Sequence, residues 1–383
     1  MDPKALKAER AELIRQATAL KPVNRVPNVS HLVTWKYFDA GYSLIEALTD
    51  YDKMESAIME CQERYNFDAH IEMGTRNPFL VSEAMGDPAY IYDADSDCIA
   101  AVDQVLYEGE EVTEYAHDNQ RFIYEKVIPR RFPNFTLEKF QAALDERDRF
   151  NAYGARVAKR LAEEYGVPAF SQMMGAGIPI ADLAIGYRGI KGFAIDYRRY
   201  HEKVVDALNY MHDTNFEFMM NMYRKMPEGT NKEYAFDFTI LNLAQTVLSM
   251  DQWDKFFWPC LKEELDILQE KGKTCRMLFQ GDGARFFDYL KDHQHGLIAL
   301  AVENDDPLDV RKQLPDMAIM GGLKCTTLGY ATPEECVEEA KRVVEGLDGR
   351  GILLSEDKMA TYRNDAKREN LLAVCEYIQN KTF

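Results

Sequence analysis

The chain of 383 residues is 46% apolar and carries 22 Gly against 14 Pro, a composition that can bury a core and that excludes disorder as its main state. Sixty-four Asp and Glu against 46 Lys and Arg leave a net charge of −18, so the surface repels phosphate backbones and anionic headgroups and argues against nucleic acid and membrane as partners. No apolar run nears the ~20 residues that span a bilayer, and 7 cysteines without a CxxC pair suit reduced thiols in a cytoplasmic protein.

Residues 1–22 open on MDPKALKAERAELIRQ, a charged helical lead-in without the apolar core of a signal peptide. Short apolar runs then alternate with long amphipathic segments, the pattern of βα units around a parallel sheet. The first strands are predicted at 25–30 (RVPNVS), 67–73 (FDAHIEM) and 167–173 (VPAFSQM). Residues 88–117 interrupt the pattern with AYIYDAD and VDQVLYEG, a predicted hairpin insertion after the second or third unit. Further strands are predicted at 234–241, 274–279, 296–302, 317–323 and 351–355. A helix beginning near Ser249 repeats Trp253, Phe256, Phe257, Leu261, Leu265 and Leu268 at three- and four-residue steps. Another starts at Thr332-Pro333-Glu334-Glu335, which supplies an N-cap, a proline at the first helical position and an acidic first turn. Eight strands close a barrel, so the predicted fold is a single (β/α)8 TIM barrel domain over 1–383, with an N-terminal helical extension and the 88–117 hairpin. A doubly wound open sheet is the alternative, but it would carry a glycine fingerprint after its first strand, and PNVSHLVTW has none.

Four segments carry a resemblance: ALKPVNRVPN, MMGAGIPIADLAIGYRGIKGFAIDY, SMDQWDKFFWPCLKEELDILQEKGKTCRMLFQGDG, and GGLKCTTLGYATPEECVEEAKRVVEGLDGRGILLSEDK with KRENLLAVCEYI. In their order the chain resembles the uroporphyrinogen decarboxylase superfamily, which contains decarboxylases and the barrel methyltransferases that work with corrinoid proteins. The resemblance implies the barrel independently. The decarboxylase branch places arginines after its first strand to neutralise porphyrinogen carboxylates; here SHLVTWKYFDAGYS offers Lys36 and no arginine. The thiol-specific methyltransferases hold zinc with a His-x-Cys pair after strand six and a Cys after the last strand. This chain has Gln280-Gly281-Asp282 and Ser355-Glu356-Asp357 at those positions. The resemblance with these replacements implies an O-demethylating relative, acting on a small and aromatic methyl ether and passing the methyl group to the cobalt of a separate corrinoid (cobalamin) protein, with zinc as an optional Lewis acid. A decarboxylase of a small carboxylic acid, or a thiol- or amine-specific methyltransferase, is the alternative.

An acid that takes up charge on the ether oxygen lowers the barrier to attack on the methyl carbon. Asp282 and Glu303 end consecutive strands and are expected at the C-terminal mouth as metal ligands or as acid and base. The alternative for Glu303 is an acidic loop that caps the next helix. His31 and His70 are expected on the same rim as proton donors, His70 also as the third metal ligand, with Glu72 and Gln280 behind them. Trp35, Tyr37, Met73, Phe170, Met173 and Met174 are either the wall of an aromatic-binding pocket or ordinary core. His293-Gln294-His295 has a metal-like spacing but closes a helix before Gly296, which favours a structural role. Lys324 and Cys325 end a strand, and Cys325 reads as a packing thiol.

Overall fold

The structure is a computed structural model that describes residues 2–72, 74, 78–87, 90–102 and 105–382. Eight parallel strands form the barrel: β1 (Val29–Ser30), β2 (Ala69–His70), β3 (Ala169–Met174), β4 (Tyr234–Asn242), β5 (Cys275–Phe279), β6 (Ile298–Val302), β7 (Ala318–Leu323) and β8 (Ile352–Glu356). β3 to β8 make one continuous sheet in chain order, and β1 pairs with β2. Parallel bridges from Asn28 to Leu354 and from Leu32 to Ala360 close β1 onto β8. β2 lies beside β3, and no ladder joins them among the described residues. There a pocket of about 200 Å³ opens in the wall, lined by His70, Glu72, Leu161 and Phe170 among others.

Each of the eight predicted strands falls on an observed one. The first is shorter than its apolar run because Pro27 has no N–H for a ladder; its carbonyl accepts from the Leu354 N–H at 2.9 Å. Alternation along the strands sorts the side chains into two layers. Leu278, Ala299, Ala301, Met320 and Leu353 fill the barrel, and Leu13, Ile14 and Ala17 of helix α1 (Pro3–Thr18) pack against them. The lead-in helix therefore plugs the barrel floor. Cys275, Met277 and Phe279 face outward into the layer of helices.

The helix boundaries follow from their caps. Ser249 and Gln252 form a reciprocal capping box, and a π turn (Trp253–Phe257) leads into a helix whose second residue is Pro259. Proline cannot donate to the carbonyl one turn back, so the ladder widens there. Thr332 and Glu335 form a second box, with Pro333 at the first helical position.

The insertion differs from expectation. Its antiparallel hairpin pairs Tyr90–Asp93 with Cys98–Ala101, and VDQVLYEG contributes no strand among the described residues. Asp93 accepts from the Asp95 N–H at 3.0 Å and from the Ser96 hydroxyl at 2.6 Å, so the Asp-rich turn forces an early return. Val112–His117 is helical. His293 is buried edge-on against Trp258, with ring centres 5.9 Å apart, as a structural histidine. Among the described residues no helix is long and apolar enough to cross a membrane.

Candidate active site

The loop after β5 turns at Gly281, whose φ of +73° suits glycine. Its N–H donates to Glu303 Oε2 at 2.6 Å, and the Gly283 N–H donates to Asp305 Oδ2 at 2.7 Å. Asp282 Oδ1 accepts from Asn304 Nδ2 at 3.1 Å. Asp282 and Glu303 thus stand on two loops laced together at the C-terminal mouth, as their spacing predicts. Their roles divide: Glu303 spends one oxygen on the Gly281 turn, whereas Asp282 is exposed on the rim. Capping of the following helix falls to Asp306, which accepts from the Leu308 N–H at 2.9 Å. Gln280 joins the same rim through its backbone: its N–H donates to Asn242 O at 3.1 Å and its carbonyl accepts from Gln245 Nε2 at 2.6 Å.

The first two strands end in a separate buried cluster. The His31 N–H donates to Glu356 Oε2 at 2.6 Å, and Lys36 Nζ donates to the Glu72 carbonyl at 2.5 Å. Burial lowers the affinity of Lys36 for its proton and pushes Glu356 up to about 7. His70 is buried with Nε2 at 2.8 Å from Gln62 Oε1 on helix α2 (Tyr51–Tyr65). Burial, with Lys36 and Arg10 nearby, depresses its pKa well below 6.5, so the ring is neutral and holds β2 to α2. This corrects the expected metal set: among the described residues no three His, Cys, Asp or Glu side chains gather to hold an ion, and His70 does not complete one with Asp282 and Glu303. Zinc does not fit these donors. Cys325 offers no thiolate either, since burial and the carboxylates of Asp357 and Glu356 raise its pKa.

The expected pocket wall is also redistributed. The Trp35 indole N–H donates to Ala366 O at 2.9 Å, in the core. Tyr37 is fully buried in another apolar cluster, Met173 packs into the outer layer, and Phe170 lies inside the barrel. Met174 is 54% exposed, and Met73 lies outside the described residues. The chain turns into a short helix, Trp35–Asp39, immediately after β1, which draws Trp35 and Tyr37 away from the mouth.

The structure assembles a pocket elsewhere, at the C-terminal end of β4, where Ile240 and Asn242 pair with the outward-facing Met277 and Phe279 and so face the helix layer. It holds about 200 Å³ beneath the loop after β3, lined by Asp182, Asn242, Ile178, Ile185, Ile240 and Phe257 among others. Asn242 ends β4 at 1% exposure, and neither amide atom has a partner among the described residues. Burial pushes the Asp182 carboxyl up to about 6. Helices α3 and α4 are Leu137–Glu164 and Trp258–Glu270. Glu264, on α4, accepts from the Ala176 N–H at 2.8 Å and pins the loop; burial holds it up at about 7. A further group missing from the sequence reading is Arg276: its strand neighbours Cys275 and Met277 face outward, so its buried side chain points into the barrel. The signals were an Asp inside the apolar run Ile180–Ile185 and an Arg inside a buried strand.

The family model described as uroporphyrinogen decarboxylase (URO-D) matches residues 125–355. A methyltransferase from Methanosarcina mazei superposes with a TM-score of 0.57 at 14% identity, over 97% of this chain and 98% of that one. A B12-independent methionine synthase from Shewanella sp. W3-18-1, in complex with selenomethionine, gives a TM-score of 0.41 at 11% identity over 93% and 98%. No curated protein matches the chain in sequence.

Proposed function

The chain belongs to the uroporphyrinogen decarboxylase family, and on that footing we propose that it is a methyltransferase that demethylates a small O-methylated aromatic compound and passes the methyl group to a separate corrinoid protein. The observation that carries this reading is the pair of loops after β5 and β6, which hold Asp282 and Glu303 beside each other at the C-terminal ends of the strands, where barrel enzymes do chemistry. The Methanosarcina methyltransferase, which shares the fold, supports the choice within the family.

The reduced cobalt of the partner supplies the nucleophile. The chain's own work is to bind the ether, exclude water from one face, and deliver a proton to the oxygen. As the methyl–oxygen bond breaks, its electron pair stays on oxygen, and a proton there turns a poor leaving group into a phenol. Asp282, exposed on the rim, is the donor in this reading, and Glu303 holds its loop in place. Met174 at the end of β3, Tyr330 at the end of the short helix after β7 and Tyr362 after β8 expose large side chains at 54%, 72% and 55%, and exposed apolar surface of this kind supports docking of a partner.

The test is anaerobic incubation with a reduced corrinoid protein and a panel of methoxylated aromatics, methylamines and methylthiols. Loss of Co(I) absorbance with stoichiometric phenol from the methoxylated donors is expected; loss with no donor would contradict the reading. Arg276 inside the barrel favours a second reading, decarboxylation of a small carboxylic acid, which predicts release of CO2 with the corrinoid protein left unchanged.

A further inference from the structure

Helix α4 carries a carboxyl among neighbours that cannot neutralise it. Glu264 is fully buried; its Oε1 accepts from the Ala176 N–H at 2.8 Å, and its Oε2 has no hydrogen-bond partner among the described residues. The titratable groups that face it are Tyr223 on the helix Glu217–Arg224, Cys275 on β5 and Cys260 one turn back on α4. Burial is the main cause that raises the pKa of all three, so each is neutral near pH 7. Arg224, at the end of the same helix, pairs at the surface with Glu217 and Glu263. A carboxylate at Glu264 would therefore be a buried charge without a cation, which is costly until water reaches it.

Its one hydrogen bond sits where the chain leaves the barrel wall. Tyr223 Oη donates to Met174 O at 3.2 Å, and the Gly175 N–H donates to Thr239 O at 2.8 Å. The next donor, Ala176, turns from the sheet to Glu264. Beyond it, Ala176, Gly177 and Ile178 line the pocket of about 200 Å³ together with Asp182. A Cβ at Gly175 would stand 2.9 Å from Ile240 Cγ1 and 3.0 Å from Glu264 Oε1, so glycine lets the loop close onto both. Gly175 and Gly177 flank Ala176 and leave the backbone free to swing once that tie is cut. We propose that Glu264 is a proton-operated latch: protonated, it holds the loop 175–178 closed over the pocket, and on losing its proton to solvent it releases the loop and opens the pocket. The direction follows from hydration. Closed, the carboxyl is dry and is held up at about 7; open, it meets water and returns to its ordinary 4.5, so opening becomes easier as pH rises. Asp182, a second buried carboxyl on the pocket wall, is raised to about 6 and acts in the same direction, with most of its titration complete below pH 7.

The experiment is hydrogen exchange of the full chain by mass spectrometry from pH 6 to 8, corrected for the intrinsic rate and repeated in low urea. Between those pH values the shift from 4.5 to about 7 lowers protection at residues 174–178 about ten-fold. Local opening exposes little surface, so this protection should hold level in urea below the unfolding transition, whereas that of β6 declines. Glu264→Gln keeps an acceptor for Ala176 and cannot ionise; it should remove most of the fall with pH, and Asp182→Asn should keep most of it. Gly175→Ala, whose methyl group meets Glu264 Oε1, should lower protection already at pH 6, and it serves with the wild-type profile if Glu264→Gln does not fold. A level profile from pH 6 to 8, a fall that Glu264→Gln retains or Asp182→Asn abolishes, or loop protection that declines with urea in step with β6 would overturn the proposal.

Discussion

Asp282 and Glu303 are neighbours with different duties, and substitution separates them. Asp282 is exposed and bonds only Asn304 among the described residues, so Asp282→Asn should leave the melting temperature unchanged while the demethylation rate falls about 10²- to 10⁴-fold, the span of a lost general acid. Glu303→Gln weakens a charged bond to the Gly281 N–H and should cost about 1 to 3 kcal/mol in denaturant melts. Glu264 gives a pH signature. Burial raises it from 4.5 to about 7, so folding favours its protonated form. Its contribution is full below the unfolded value and is lost as pH rises through 7. Glu264→Gln keeps an acceptor for Ala176 and does not ionise; between pH 5 and 8 wild type should lose up to about 3 kcal/mol more stability than the variant. Equal losses would show that Glu264 does not titrate in this range. At this scale the sequence was partly legible. Strand-end position placed Asp282 and Glu303 on the C-terminal loops, but Trp35, Tyr37 and His70 could not be sorted from core because which way a side chain turns after a strand depends on the loop that follows.

The strands were the most legible elements, because burial on both faces leaves continuous apolar runs bounded by polar turns. Capping boxes marked the starts at Ser249 and Thr332 as clearly. The hairpin was less so: AYIYDAD and VDQVLYEG both read as strand-like, and the Asp93–Ser96 turn decided that Cys98–Ala101 would be the partner. The sequence also showed α1 as a helix without showing what it covers. It seals the barrel floor through Ile14, which is fully buried among interior residues. Ile14→Ala should therefore cost roughly 2 to 5 kcal/mol by calorimetry or denaturant melting. The Michaelis constant should hold, since the substrate enters from the opposite end. A change in affinity without loss of stability would mean that α1 touches the site.

Across the whole molecule, eight strand ends bring distant residues to one opening: Asp182 follows the third strand, Asn242 ends the fourth, and the Asp282 and Glu303 loops follow the fifth and sixth. The barrel was legible from periodicity, and the family from the order of its segments. The pocket was hidden, since Asp182 sits in an apolar run and only the folded loop brings it into one lining with Asn242. The net charge of −18 disfavours anionic partners. The most direct measurement follows a single carbon atom: 2-methoxyphenol labelled with ¹³C in its methyl group, incubated anaerobically with the protein and a reduced corrinoid protein, and observed by NMR. The account predicts that the label moves from oxygen to cobalt at the rate unlabelled catechol-type product forms. Label that stays on oxygen for every methyl ether offered, while a carboxylic acid in the same mixture loses CO2, would contradict it.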